Sequence, residues 1–347
     1  MAGRPGIDDR TYVRRVLIAL GLALLLFIFW QLRGLLLMLF GAVVVATVFR
    51  SLADRIARWT GLRESIAVAA SILLILAVVL LMALLFGQNL SRQVATLDQT
   101  LPAAWRSFET RVAELGLADE LKRVVDGARQ SLSPAGYGRA VLSFGNAVAE
   151  ALVVLFAGIF LAAQPRFYAT GAIKLFPSGR RPLVAEAMAE SETALRLWLK
   201  GQLIAMTSVG VLTGLGLWLL GLPSAFALGL LAGVLEFVPF VGPILAAVPA
   251  ILLALAVSPD LALWVALLYL AVQQFEGYVL TPLVQQYAVD LPGVVLLFSL
   301  LAFGILFGTL GVVLAAPLSV VTYVLVKRLY VIEALHTPTP IPGEGKG

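Results

Sequence analysis

One apolar stretch decides the fold, because it is too long to cross a membrane once as a straight helix. Residues 223–257 read PSAFALGLLAGVLEFVPFVGPILAAVPAILLALAV. A single helix of these 35 residues would extend about 52 Å, whereas the hydrocarbon core of a bilayer is about 30 Å thick. Pro239, Gly242 and Pro243 interrupt the stretch. They predict a helical hairpin of two short arms whose tip lies at these residues.

The same stretch carries a carboxyl group, Glu236, among its apolar residues. A charge at the centre of a membrane helix costs about 2.5 to 3.5 kcal/mol on insertion scales, so such groups usually serve a substrate or ion path. We therefore expect Glu236 to carry a proton or to pair with a cation. The alternative is a structural role, in which the acid caps the broken helix end.

Composition assigns the whole chain to the membrane. Of its 347 residues, 61% are hydrophobic and 13% are charged. Apolar runs recur without alternating strands, which predicts an all-α polytopic membrane protein with about eight hydrophobic segments. The chain has no Cys, and its one His, His336, lies in a Pro-rich tail. We therefore expect no disulfide, no metal site and no cofactor.

Arginines at the ends of the apolar runs predict the orientation. The first spans are predicted at Val16–Trp30, Leu35–Phe49, Ser65–Phe86 and Asn146–Ala163. Arginines precede the first run and follow the second, which places both flanks in the cytoplasm. The first two runs should then form a hairpin with its tip at Gln31–Gly34. We expect both termini in the cytoplasm.

A second long broken segment follows a further span, Leu261–Leu280. This segment, Pro292–Val326, again has 35 residues. Glycines and a proline interrupt it at Gly304, Gly308, Gly311 and Pro317. Its length predicts a second hairpin, with a tip within 304–311.

The two broken segments resemble each other at a shift of 69 residues. The shift aligns a Leu-Pro pair, a glycine and a Leu-Ala-Ala triplet, namely Leu222-Pro223 with Leu291-Pro292, Gly242 with Gly311, and Leu245-Ala246-Ala247 with Leu314-Ala315-Ala316. It predicts a repeat of residues 201–257 and 261–326. If both segments turn back, the first enters from outside and the second from the cytoplasm, as an inverted-topology pair. Chance similarity between Leu- and Ala-rich segments is the alternative.

Three polar residues lie at the end of the span that precedes the second broken segment. Gln273, Gln274 and Glu276 precede Pro282, which we expect to be a hinge. Gln273 and Glu276 share a helix face because they are three residues apart. Together with Glu236 they offer amide and carboxylate groups to a polar solute or an ion. The alternative for Glu276 is an acid at the level of the lipid headgroups.

Changes in composition divide the chain into parts. These are the N-terminal spans of a scaffold (1–87), an extracytoplasmic helical segment (88–145), a fourth span with a basic cytoplasmic segment (146–200), a transport core (201–326) and a Pro/Gly-rich cytoplasmic tail (327–347). The second part has charges of both signs and an apolar residue every three or four positions, which is typical of an amphipathic helix. It could be a lid, an oligomerisation surface or a spacer.

Three motifs resemble one protein family. They are Glu-Phe-Val-Pro-Phe-Val-Gly-Pro at 236–243, Gln-x-Glu-Gly at 274–277 and Gly-x-x-Gly at 308–311. Over residues 195–326 the chain closely resembles the autoinducer-2 exporter (AI-2E) family of bacterial membrane proteins. The resemblance implies an oligomeric inner-membrane transporter. Members of this family are linked to export of the furanone autoinducer-2 in quorum sensing, and others to sodium/proton exchange.

Together, the residues and the resemblance predict a secondary transporter, not an enzyme, that exports a small polar solute such as autoinducer-2 by alternating access at the hairpins. A monovalent cation/proton antiporter, a channel and a scaffold without transport are the alternatives. A G-x-x-x-x-G-K-[ST] loop is absent from the sequence, which disfavours an ATP-driven pump without a partner. The expected partners are the lipid bilayer, a polar solute or cation, and further copies in a pentamer or trimer. The basic isoelectric point reflects loop arginines and does not indicate nucleic-acid binding.

Overall fold

The fold of the chain is helical. The computed structural model describes residues 9–80, 84, 134–282 and 292–339, and within these ranges every regular element is a helix. Seven of the helices are long and apolar enough to cross a membrane, and three shorter apolar helices accompany them. The expected all-α polytopic membrane fold is therefore confirmed.

The helices follow the predicted order of spans. They are α1 (Asp9–Gln31), α2 (Arg33–Thr60), α3 (Glu64–Leu80), α4 (Pro134–Ala163), α5 (Pro165–Lys174), α6 (Arg181–Leu219), α7 (Ala225–Leu235), α8 (Val241–Val257), α9 (Pro259–Phe275), α10 (Gly293–Val313) and α11 (Ala315–Val326). A short 3-10 turn (Ser178–Arg180) precedes α6, and π-helical turns extend α9 (Glu276–Leu280) and α11 (Lys327–Ile332).

The first two helices do not form the predicted hairpin. Only Leu32 separates α1 from α2, and hydrogen bonds from Leu32 N to Ile28 O and from Leu36 N to Leu32 O cross the junction. All of Tyr12–Gln31 is exposed, so α1 does not pack along α2. The prediction was wrong because the junction contains no proline, and its single glycine fits inside a helix at a cost of about 1 kcal/mol.

Helices α2, α3 and α4 pack together as an N-terminal bundle. Phe49 of α2, Val68 of α3 and Ala162 of α4 are buried in one apolar core. The first and last of these helices approach closely at Gly158, where an added Cβ would lie 2.7 Å from Val45. These contacts join the fourth span to the N-terminal spans.

Helix α6 runs without a break from the basic segment into the membrane. It has 39 residues, so it is about 58 Å long. The boundary predicted between residues 200 and 201 therefore falls inside a helix. Three ion pairs tie its first half to other elements: Arg196 with Asp54 of α2 at 2.8 Å, Glu190 with Arg328 after α11 at 3.6 Å, and Glu186 with the same Arg328.

The second half of α6 packs on α7 through paired glycines. Gly210 lies against Gly229 and Gly233, and Gly214 also lies against Gly229. A Cβ added to Gly229 would lie 2.4 Å from the Gly214 backbone. Small residues thus bring the two backbones into contact, as is common between membrane helices.

The first broken segment folds back at the predicted place. Residues 236–240 separate α7 from α8, and Phe240 among them has a φ of 64°. The arms meet at Gly242, where an added Cβ would lie 1.9 Å from the carbonyl oxygen of Leu235. Pro239 lies in the turn. The break expected from the length of this segment is present.

The second broken segment bends at Gly308. This residue has a φ of 67° and a ψ of −147° inside α10, a conformation open essentially to glycine alone. A Cβ on Gly311 would lie 2.1 Å from the carbonyl oxygen of Phe303, and a Cβ on Gly304 would lie 3.0 Å from Val312. In a straight helix residues eight apart are about 12 Å apart, so the chain folds back within the predicted tip.

Gly242 and Gly311 occupy the same place in the two broken segments. They are the glycines aligned by the 69-residue shift. Each lies against a carbonyl oxygen of the preceding arm, that of Leu235 or of Phe303. The contact leaves no room for a side chain, which explains why both segments have glycine there. This common geometry supports the predicted repeat.

One core joins the N-terminal bundle to the C-terminal half. It includes Leu37 of α2, Trp198 of α6 and Val320 of α11, and is termed the Trp198 core below. Phe237 from the first hairpin tip and Phe307 from the second both pack against it. The two tips therefore meet the same core.

Two predicted parts lie partly outside the described residues. The segment 88–145 is described only from Pro134, where α4 begins, and the tail 327–347 only as far as residue 339. Proline is common in the first turn of a helix. The tail begins as a π-helical turn, from which Arg328 reaches Glu186.

Candidate functional site

Glu236 lies at the first hairpin tip, directly after the last turn of α7. Its residue is only 2% exposed. The next residue fixes the tip, because the ring of Phe237 meets that of Trp198 edge-on at a centroid distance of 5.8 Å. The fold therefore holds a carboxyl group away from water at a point where helical hydrogen bonding stops.

Glu276 approaches this tip from α9. It begins the π-helical turn that continues α9, and its carboxylate accepts a hydrogen bond from Gln273 Nε2 at 2.5 Å. The two side chains share one helix face. Single π-helical turns inside helices are frequent at functional sites.

The carboxyl groups of Glu236 and Glu276 lie close enough to interact and are termed the acidic pair below. One oxygen of Glu236, Oε2, is buried without a hydrogen-bond partner among the described residues. If both carboxyl groups were ionised, their negative charges would repel each other strongly, because the dielectric constant inside the protein is low. The acidic pair is therefore suited to share a proton or to bind a cation between its oxygens.

Gln202 of α6 holds the same tip from the other side. Its Nε2 donates a hydrogen bond of 2.7 Å to the backbone carbonyl oxygen of Glu236. That carbonyl belongs to the end of α7, where no further helical turn follows to supply a partner. Sequence reasoning missed Gln202, because a single amide at the start of an apolar run shows no partner in the sequence.

Tyr269 extends the polar face of α9 away from the acidic pair. It precedes Gln273 by four residues and Glu276 by seven, so the three side chains lie on one face. Its hydroxyl is buried without a partner among the described residues. The ring packs against the core that contains Ala232 of α7. This spacing was visible in the sequence and could have identified Tyr269.

The other predicted residues take several positions. Gln274 is exposed on α9, and Pro282 is exposed at the end of a described range. Pro243 lies in the first turn of α8 and Pro317 in that of α11, where proline is tolerated. The structure thus brings Glu236, Gln273 and Glu276 together and leaves Gln274 outside.

The polar groups at this site are of the kinds that bind a polar solute or a proton. In the described part of the chain, no group of three or more His, Cys, Asp or Glu side chains is placed to hold a metal ion. The groups that converge are two carboxyls and two amides. They can exchange a proton, bind a monovalent cation or hydrogen-bond a polar solute.

Comparison with known proteins identifies the family and the residues of this chain that match it. A family model described as AI-2E family transporter matches residues 18–330. The AI-2 transport protein TqsA of Escherichia coli (strain K12) is 26% identical over 305 residues, covering 83% of this chain and 84% of TqsA. YrrI of Bacillus subtilis (strain 168), provisionally named a transport protein, is 33% identical over 151 residues, covering 44% of this chain and 43% of YrrI.

A protein of Thermotoga maritima, also provisionally named a transport protein, is 29% identical over 171 residues and 52% of its length is matched. The chain therefore spans about half the length of these last two relatives. The family match is wider, since it runs from α1 to the turn after α11 and contains the acidic pair and both hairpin tips. The protein belongs to the AI-2E family of membrane transporters.

Proposed function

We propose that this protein is a secondary transporter that exports a small polar solute such as autoinducer-2, with the acidic pair as the site where a driving proton or cation binds. The observation that carries the proposal is the burial of Glu236, 2% exposed, against a second carboxyl group. Two acids in contact stabilise a fold poorly unless a proton or cation joins them. Their use in transport accounts for the cost of burying them.

Two observations support a small polar solute as the cargo. One is a similar protein, and the other is the set of hydrogen-bonding groups at the site. TqsA, which is named an AI-2 transport protein, is similar over 83% of this chain. A small polar solute needs several hydrogen-bond partners at once. Gln273, Tyr269 and the acidic pair present such groups along one face of α9 and the first tip.

The route across the membrane uses both hairpins. Helix α7 has 11 residues, so this arm of the first hairpin is about 16 Å long, roughly half of a hydrocarbon core of about 30 Å, and the repeat extends the same arrangement to the second hairpin. Each hairpin then enters the membrane part of the way and returns on the same side. Two hairpins that enter from opposite sides bring their tips to one depth, where each can close one entrance in turn.

Exchange of a monovalent cation for a proton is the second candidate function. The acidic pair favours it specifically, because carboxylate oxygens bind either a proton or a hard cation. In that case the cation is the cargo, and the amides and the Tyr269 hydroxyl complete its oxygen-rich surroundings.

Reconstitution into liposomes tests these functions. Proton and sodium gradients are imposed separately, and the flux of autoinducer-2, sodium ions and protons is followed in the same preparation. Autoinducer-2 flux that saturates, responds to one gradient and shows counter-transport supports the exporter. Sodium/proton exchange without autoinducer-2 flux supports the antiporter, and flux of either that neither saturates nor shows counter-transport identifies a channel.

We also propose that the protein works as a homo-oligomer, a trimer or pentamer, in the bacterial inner membrane with its C terminus in the cytoplasm. Helix α1 exposes apolar side chains along all of Tyr12–Gln31. Lipid alone can cover them, but a helix whose side chains are exposed in the described part of the chain is also free to meet other copies. Mass measurement of the protein in detergent checks this, and a monomer contradicts it.

A further inference from the structure

A cavity at one end of the N-terminal bundle lies apart from the acidic pair. Its volume is about 570 Å3. It is bordered by Arg50 in the second half of α2, the start of α3 and the junction of α4 with α5. Arg50 and Arg166 supply its positive charge, and Val68, Ile72 and Phe167 supply apolar walls.

The two arginines differ in how they are held. Arg50 is fixed, because Nη2 pairs with Glu64 at 2.5 Å and Nη1 donates to the Ala162 carbonyl oxygen at 3.3 Å. Its side chain is 19% exposed, whereas that of Glu64 is 65% exposed and lies towards solvent. Arg166 is exposed and has no ion pair among the described residues. The cavity therefore offers one fixed and one available guanidinium group to an anion.

The surroundings of the cavity match the level of lipid headgroups. Trp59, at the end of α2, is 84% exposed, and Phe167 is 71% exposed. Exposed aromatic rings beside arginines at the ends of spanning helices are typical of the membrane–water interface. The apolar wall of Val68 and Ile72 continues along α3 towards the hydrocarbon core. A ligand with an anionic head and an apolar chain fits both parts of the cavity.

We propose that this cavity binds an anionic phospholipid, whose phosphate meets Arg166 and Arg50 and whose acyl chain lies along Val68 and Ile72. Guanidinium groups bind phosphate through paired hydrogen bonds. Basic pockets between membrane helices are known to take anionic headgroups. Two arginines against the single Glu64 leave the lining positive, so charge favours an anionic lipid over a zwitterionic one. The bound lipid would join α3 to the α4–α5 junction.

Native mass spectrometry of the full chain, released from micelles that contain equal phosphatidylglycerol and phosphatidylcholine, tests the proposal. The wild type should retain phosphatidylglycerol in preference to phosphatidylcholine. Arg166→Gln should lower that retention on the order of five-fold, as expected for one surface arginine. Ala69→Trp should lower it without a change of charge, because Ala69 lines the cavity.

Arg180→Gln is the matched control, since Arg180 is an exposed arginine outside the cavity. It should retain phosphatidylglycerol as the wild type does. Equal retention by all the variants overturns the proposal, as does equal retention of the two lipids by the wild type. Displacement of the lipid by millimolar inorganic phosphate also overturns it, because the site would then recognise a free anion and not a lipid.

Discussion

At the level of residues, the end of α7 presents two polar groups to the interior, a backbone carbonyl and the Glu236 carboxyl. Gln202 supplies a partner for the carbonyl. The carboxyl meets another acid, Glu276, and keeps one oxygen without a partner among the described residues. The backbone at the tip is thus satisfied while the side chain is open to a ligand. This division favours a binding role for Glu236 over a role as a helix cap.

Glu236→Gln tests that role. The amide keeps the shape of the side chain but removes its titratable charge, so we expect the protein to fold and insert normally. Transport in liposomes should fall to background or lose its dependence on the imposed pH gradient. Glu150→Gln, at a half-buried position of α4, is the control and should retain transport. Wild-type transport with unchanged pH dependence in Glu236→Gln would reduce Glu236 to a structural residue.

Gln202→Leu tests the anchoring of the tip. The change leaves the Glu236 carbonyl buried without its donor, which costs about 1–3 kcal/mol. We expect a lower Tm in detergent and slower transport. Gln274→Leu removes an exposed amide from α9 and should leave the Tm unchanged. Equal Tm values for the two variants would show that the 2.7 Å hydrogen bond does not hold the tip.

The sequence identified some of these residues and missed others for clear physical reasons. Glu236 and Glu276 stood out because charge is rare in apolar runs, and the spacing of Gln273 and Glu276 placed them together. Gln202 could not be found, because its partner is a carbonyl exposed only when α7 ends at the tip. Gln274 was included because it adjoins Gln273 and begins the Gln-x-Glu-Gly motif, although neighbouring residues on a helix point in different directions.

At the level of elements, the hairpin bends depend on glycines that face a carbonyl oxygen. Gly242→Ala would place its Cβ 1.9 Å from Leu235 O, a distance at which the arms must separate. We expect a loss of about 1–3 kcal/mol or more, measured as a fall in Tm, and a loss of transport. Gly293→Ala, where an added Cβ meets nothing within 4 Å, is the control and should be neutral.

Gly311→Ala should resemble Gly242→Ala, because its Cβ would lie 2.1 Å from Phe303 O. A destabilisation of both variants, with Gly293→Ala unaffected, would support the repeat. If Gly311→Ala instead resembles the control, the two tips are not equivalent, and the alignment at a 69-residue shift is accidental.

Cysteine labelling tests whether the first hairpin returns to its side of entry. The chain has no native Cys, so Leu219→Cys and Ser258→Cys report the two ends of the segment separately. We expect a membrane-impermeant maleimide to label both from the extracytoplasmic side, since α7 is too short to cross. Labelling of Ser258→Cys from the cytoplasm alone means that the segment crosses the membrane.

The length and proline content of an apolar segment predicted its helices well where they required the helix to break. A 35-residue apolar segment must bend, and the prolines and glycines marked where. The α1–α2 junction shows the opposite case. Its polar residues, Gln31 and Arg33, suggested a hairpin tip, but nothing in the backbone there opposes a helix, and α2 starts after one intervening residue.

At the level of the whole molecule, α2 meets the second hairpin near Gly41, whose added Cβ would lie 3.1 Å from Leu314. If the hairpins move against the N-terminal bundle during transport, a covalent link at this contact should stop the cycle. We expect the Gly41→Cys/Leu314→Cys pair, joined by a short reducible thiol reagent, to lose transport. Reduction should restore it, as measured by flux in proteoliposomes.

A pair within the bundle is the control. Gly158→Cys/Val45→Cys links α4 to α2 at a contact of 2.7 Å, and both helices belong to the part expected to stay fixed. Its linked form should transport normally. Full transport by the efficiently linked Gly41/Leu314 pair would contradict a moving body and would favour local opening of the hairpin tips.

The position of α11 bears on the order in which the chain can be assembled. This helix leaves the ribosome after the other described helices, yet its Val320 shares a core with Leu37 of α2 and Trp198 of α6. During synthesis, those earlier faces stay uncovered in lipid or against the insertion machinery. The contacts among α6, α7, α8 and α9, by contrast, join neighbours in the chain. The first tip can therefore form during translation, whereas the Trp198 core closes only after the last helix has been inserted.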